Sequence, residues 1–316
     1  MFLTYFFFAL GFILLVKGAS WLIEGAVVLA KRFHVSEITI GLTVVAFGTS
    51  APELVVSVVS SIRASGELVM GNIIGSNIAN IALVLGAAGL IVPLTINKGL
   101  VKKDIPFSLL GVIAVYFLAT RTETTLILNR FAGGVLVVGF VLFLWLIHRS
   151  NKKPDDEIPK IKEEGIDLGM AGILTGGGLL TLALGGEFVV DSAIRIAEIF
   201  GVSQKLIGLT LVAVGTSLPE LVTSVVAVWK KRVDLAIGNV IGSNVFNILW
   251  ILGVSAIIRP VVFGKEAIVD LAILVGVTLL FLLAILIGKK YRVERWDSAV
   301  LLSGYAAYLA FVVWRG

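Results

Sequence analysis

The sequence predicts an all-α integral membrane protein of ten transmembrane helices, arranged as two inverted five-helix repeats. Three observations predict it. The 316 residues are 58% hydrophobic and only 15% charged, against roughly 25% charged in an ordinary soluble domain. The apolar residues fall into ten runs of about 20, the length that spans a bilayer. A pair of motifs also recurs in register in the two halves of the chain.

In chain order the runs cover 2–30, 38–62, 68–93, 104–120, 124–147, 168–199, 205–229, 235–258, 266–288 and 296–314. Charge or Gly/Pro closes each one, as Lys31-Arg32 closes the first and Lys230-Lys231-Arg232 the seventh. The first run passes through Gly18-Ala19-Ser20, which resembles a signal-peptide cleavage site. With the N-terminus outside, 17 Lys and Arg fall in cytoplasmic loops and 7 in external ones, the bias of the positive-inside rule. Both termini are therefore expected outside. The polar stretch 149–166, with Lys152-Lys153-Pro154-Asp155-Asp156-Glu157, reads as a cytoplasmic linker between a first repeat (1–148) and a second (167–316).

Composition also excludes chemistries. Without cysteine, and with only His34 and His148, neither a disulfide framework nor a zinc site can be built. Any metal chemistry must use oxygen ligands, which suit hard cations. Lys and Arg are scattered through short loops and form no stripe, which argues against nucleic acid. No cofactor and no obligate protein partner is expected; the lipid bilayer is the partner the sequence demands.

Moving the second half back by 167 positions aligns GLTVVAFGTSAPELVVSVV (41–59) with GLTLVAVGTSLPELVTSVV (208–226). The same shift aligns GNIIGSNIANI (71–81) with GNVIGSNVFNI (238–248). From 41 to 81, 24 of 41 positions are identical. Weaker matches, such as Glu24 to Asp191, reach back into span 1. Span 1 thus has a counterpart in span 6, and a cleaved signal would not recur in mid-chain. Five spans per copy is an odd number, so the second copy enters the membrane in the opposite direction, the inverted plan of secondary transporters.

Gly48-Thr49-Ser50-Ala51-Pro52-Glu53 and Gly215-Thr216-Ser217-Leu218-Pro219-Glu220 each interrupt an apolar span near its middle. Glycine and proline there predict a broken helix. Ser50 to Glu53 and Ser217 to Glu220 also read as capping boxes. At membrane depth, however, an ionisable side chain is costly and faces a cavity or partner. Asn72, Ser76 and Asn80, like Asn239, Ser243 and Asn247, recur at i, i+4 and i+8 along one helical face. Gly71-x-x-x-Gly75 and Gly238-x-x-x-Gly242 on the same spans are close-packing motifs. A helix packed closely on the break would bring amide and hydroxyl oxygens to the two glutamates. Two carboxylates balance one Ca2+, while several Na+ sharing the cage would compete with it. Elsewhere Lys17 and Glu24 share a face, and Asp191 sits four before Arg195, spacings that internal pairing or snorkelling explains.

At the doubled GTSxPE and GNxIGSN motifs the chain resembles the sodium/calcium exchanger family of the cation/calcium exchanger superfamily, particularly its compact prokaryotic members. The resemblance implies an electrogenic Na+/Ca2+ antiporter in the plasma membrane, with Glu53, Glu220 and the backbone carbonyls of Thr49 and Thr216 on Ca2+. It places Na+ at Ala46, Ser50, Ser76 and Asn80 and at their mates Ala213, Ser217, Ser243 and Asn247. It also implies that spans 1 and 6 slide across the core. Some members carry aspartate where this chain has Asn247, which accompanies potassium co-transport in one subfamily, so a potassium-independent exchanger is expected. Three other readings stand beside it: a proton-coupled Ca2+ antiporter of the same fold, a calcium channel, and an intramembrane hydrolase with paired carboxylates. Symmetric glutamates give the hydrolase no division into acid and base, so the chain is not expected to be an enzyme.

Overall fold

In a computed structural model of the protein, residues 2–121, 125–150, 167–202, 213–287, 289 and 291–315 are described. Twelve helices are numbered here along the chain. They are α1 Phe2–Arg32, α2 Glu37–Thr49, α3 Ala51–Ile62, α4 Gly66–Ile91, α5 Ile105–Leu118, α6 Arg130–Ser150, α7 Leu168–Ile199, α8 Ala213–Thr216, α9 Leu218–Trp229, α10 Val233–Ile258, α11 Lys265–Leu286 and α12 Arg295–Arg315. Among the described residues, seven are long and apolar enough to cross a bilayer, and the bent pair α2–α3 makes an eighth span. The expected fourth span holds the 14-residue α5. The expected seventh holds α8 and α9, and its first part, 205–212, lies outside the described residues, as does most of the 149–166 linker.

Apolar side chains point outward and polar ones inward, as a bilayer demands. Phe117, Leu180, Ile173 and Val138 are exposed, while Glu53, Asn77, Asn80, Glu220, Asn239 and Asn247 are fully buried.

At 31 and 32 residues, α1 and α7 are each roughly 46–48 Å long. That exceeds the ~30 Å hydrocarbon core, so both must tilt or protrude. They pack antiparallel along a stripe of small residues two turns apart: Gly11 meets Gly185, Gly18 meets Gly178 and Leu182, and Gly25 meets Ala171 and Thr175. A Cβ on Gly18 would lie 2.8 Å from the Gly178 carbonyl oxygen, so only glycine lets the backbones touch. The same α7 crosses both motif breaks, with Leu179 against Gly48 and Val190 against Gly215.

Short strands join the loops. Strands β1 (Leu94–Thr95) and β5 (Arg292–Val293) pair antiparallel, as do β2 (Thr120–Arg121) with β3 (Leu126–Leu128) and β3 with β4 (Val261–Phe263). Each set ties a loop of the first half to one of the second.

Candidate functional site

The chain bends by 49° between α2 and α3. Ser50 sits at the bend with φ −84° and ψ 11°, and Pro52 opens α3. Ser217 repeats this geometry before α9, with φ −87° and ψ 5°. The capping boxes are not formed, since neither serine makes a side-chain cap bond. The Ser50 hydroxyl instead donates to Glu220 Oε1 across the molecule at 2.7 Å.

The α4 and α10 helices form the other walls. Ser76 donates to Glu53 Oε1 at 3.3 Å, and Ser243 to Glu220 Oε1 at 3.5 Å. Thr216 Oγ1 lies 3.5 Å from Ser76 Oγ, and Thr49 Oγ1 donates to Asn239 Oδ1 at 3.0 Å. The Ala46 carbonyl, which resemblance assigned to Na+, accepts from the Ser50 amide and from the Thr49 and Ser243 hydroxyls. Ala213 begins α8, and its side chain lies outside the described residues. Asn80 opens a π-helical stretch, Asn80–Val84, and Asn247 lies in another, Phe246–Ile251. Such bulges loosen the regular backbone ladder and cluster at functional positions.

Sequence reasoning thus placed its residues around one centre but missed four buried partners. Asn72 donates to the Glu53 carbonyl and to Ser57, and Asn239 to Ser224. Asn77 and Asn244 bond across the halves to each other's backbone and to Asn247 and Asn80. The signal was available, because Ser57, Asn77 and their mates Ser224 and Asn244 are all identical across the repeat.

Glu53 Oε2, Glu220 Oε2, Asn80 Oδ1 and Asn247 Oδ1 are buried without a hydrogen-bond partner among the described residues. Buried polar atoms are rarely left so. The carboxylate oxygens and amide carbonyls are acceptors, the set a hard cation takes. Lone hydroxyls at Ser217 and Thr223 add to it.

Fold and site together define a multi-pass membrane protein with a buried, oxygen-lined, doubly acidic centre between helices broken at mid-span. The profile described as sodium/calcium exchanger protein matches residues 3–148 and again 170–314. The chain is 37% identical to CaxA of Alkalimonas amylolytica over 311 residues, 96% of each chain. It is 30% identical to the sodium/calcium exchanger MaX1 of Methanosarcina acetivorans over 339 residues, 95% of each. The solved structure of the sodium-calcium exchanger NCX_Mj superposes with a TM-score of 0.83 at 34% identity, covering 98% of this chain and 99% of that one. The protein belongs to the sodium/calcium exchanger family, whose members are ion antiporters and not enzymes.

Proposed function

We propose that the protein is a potassium-independent Na+/Ca2+ antiporter that works by alternating access as a single chain, with two inverted five-helix repeats around one central site. The observation that carries this reading is the convergence of two buried carboxylates and two amide carbonyls, all four with an oxygen lacking a donor among the described residues. Glu53 and Glu220 neutralise one Ca2+, joined by the Thr49 and Thr216 carbonyls. Ser50, Ser76, Asn80 and the Ala46 carbonyl, with Ser217, Ser243, Asn247 and Ala213, hold the Na+ that competes for the same carboxylates. A single Na+ would leave net negative charge in a low-dielectric centre, so several must bind for charge balance. Unequal charge on the two loads makes exchange voltage-sensitive by about 2.3 kcal/mol per charge per 100 mV. The plasma membrane is the proposed location, with both termini outside.

The test is 45Ca2+ uptake into proteoliposomes loaded with Na+, with choline and K+ loading as controls, for wild type, Glu53→Gln and Glu220→Gln. Uptake requiring internal Na+ and lost in either variant is the expected result. Uptake indifferent to Na+ but driven by a pH gradient would replace Na+ with protons as the coupling ion. Uptake surviving both substitutions would move the site elsewhere.

A further inference from the structure

We propose that Asn77 and Asn244 are positioning residues that fix the side-chain amides of Asn80 and Asn247, so that carbonyl oxygen and not NH2 faces the ion. The proposal rests on the cation site described above. An amide is nearly symmetric in shape, so packing alone does not choose which end points inward. Here the choice is made by hydrogen bonds. Asn80 Nδ2 donates to Asn244 Oδ1 at 3.0 Å, and Asn247 Nδ2 donates to Asn77 Oδ1 at 3.0 Å. The acceptors are themselves fixed, because Asn77 Nδ2 donates to the Asn244 carbonyl at 3.2 Å and Asn244 Nδ2 to the Asn77 carbonyl at 3.4 Å.

Turning Asn77 or Asn244 over would set NH2 against NH2 and oxygen against carbonyl oxygen. Turning Asn80 or Asn247 over would set oxygen against oxygen. The four asparagines, all buried, therefore hold one another in a closed ring across α4 and α10. Its two inward oxygens are the ones without a donor. Because the ring crosses between the halves, each copy orients the ligand amide of the other.

The test measures 45Ca2+ binding to purified protein and Na+-dependent uptake in proteoliposomes for Asn244→Leu, Asn80→Ala and the double variant. Asn244→Leu is expected to raise half-saturating Ca2+ by roughly tenfold, as loss of an outer partner of a metal ligand does, with the maximal rate retained. In the Asn80→Ala background it should add nothing, because its effect passes through that amide. Unchanged half-saturation, or an equal further loss in the double variant, would overturn the proposal. If Asn244→Leu fails to fold, Asn244→Ser, too short to reach Asn80, carries the same comparison. Wild type that binds Ca2+ without Na+-dependent uptake would sink the exchanger reading and leave the binding measurements to judge the ring.

The ion pairs beside α1 and α7 differ between the two ends of the molecule. Lys230 donates to Glu24 Oε1 at 2.6 Å and also to Ser20, joining the end of α9 to α1. Their repeat mates are Arg63, after α3, and Asp191, on α7. Both are described and exposed, and no ion pair joins them among the described residues. We infer that Glu24–Lys230 and Asp191–Arg63 are alternative latches, one made in each access state. An inverted repeat makes the second state the image of the first, so the pair made at one end here is made at the other end there. The inference rests on the proposed inverted repeat.

The chain has no cysteine, so Glu24→Cys/Lys230→Cys and Arg63→Cys/Asp191→Cys can be probed with a thiol cross-linker about as long as the side chains removed. Both pairs are expected to cross-link in proteoliposomes, each cross-link stopping Ca2+ uptake and each suppressed when the ionic condition favours the other. Cross-linking at 24/230 alone under every ionic condition would overturn the exchange of latches. Both pairs cross-linking in wild-type background without any transport to stop would instead sink the exchanger reading.

Discussion

The two copies of the motif share nearly every site residue, yet they are not in the same condition. Glu220 receives hydroxyls from Ser50 and Ser243 and Glu53 receives Ser76, but Ser217, the mate of Ser50, has no partner among the described residues. The α10 wall is closely packed: Gly238 lies against Ile38 and Gly41, and Gly242 against Leu42 and Ala46. Under the proposed alternating access, an identical motif in a different hydrogen-bonded state is one of two poses. Sequence encodes the symmetric pair of poses, and a single structure shows one of them.

The largest effect tests whether the copies are equal in role. Glu53→Gln and Glu220→Gln should each weaken Ca2+ binding by about 3–5 kcal/mol, the scale of removing one partner of a buried charge pair, read by equilibrium 45Ca2+ binding. A large loss from only one of them would make the site one-sided. Next, Gly242→Ala should cost about 1–3 kcal/mol in thermal stability in detergent, since its Cβ would lie 2.5 Å from the Leu42 oxygen.

A smaller contrast is expected at the serines. Ser50→Ala removes a hydrogen bond to a buried carboxyl, worth about 1.5–3 kcal/mol, and leaves Glu220 the longer Ser243 bond, while Ser217→Ala removes a hydroxyl with no partner among the described residues. Melting temperatures of the two variants in one detergent would show whether the contrast is real. The smallest effect belongs to Lys230→Met, whose partly exposed pair contributes about 0.2–1 kcal/mol. Arg63→Met should be silent in the same melting assay.

The broad plan was legible because the bilayer leaves a simple signature: apolar runs of spanning length, and a carboxylate where none belongs unless it has work. Glu53 and Glu220 stood out because each also sits in the doubled Gly-Thr-Ser-x-Pro-Glu break near mid-span. Three details did not. Ser50 and Glu53 sit at capping-box spacing, yet the Ser50 hydroxyl makes no cap bond and donates to Glu220 from the other half. Glu24 shares a helical face with Lys17, yet its partner is Lys230, distant in sequence. Likewise Asn77 and Asn80 are both asparagines of one motif. Which faces the centre and which steadies the other is set by the helix opposite and by π-helical stretches that no periodicity announces.

The short strands carry a mechanical consequence. β1–β5 and β2–β3–β4 stitch first-half loops to second-half loops. These pairings join the loops around α4, α5, α6, α10, α11 and α12 across the two halves. Among the described residues neither α1 nor α7 ends in such a stitch, and the two meet each other along smooth glycine tracks. If α1 and α7 slide across the core, as the family resemblance implies, the stitched body is the stator and the antiparallel pair the piston that runs along it.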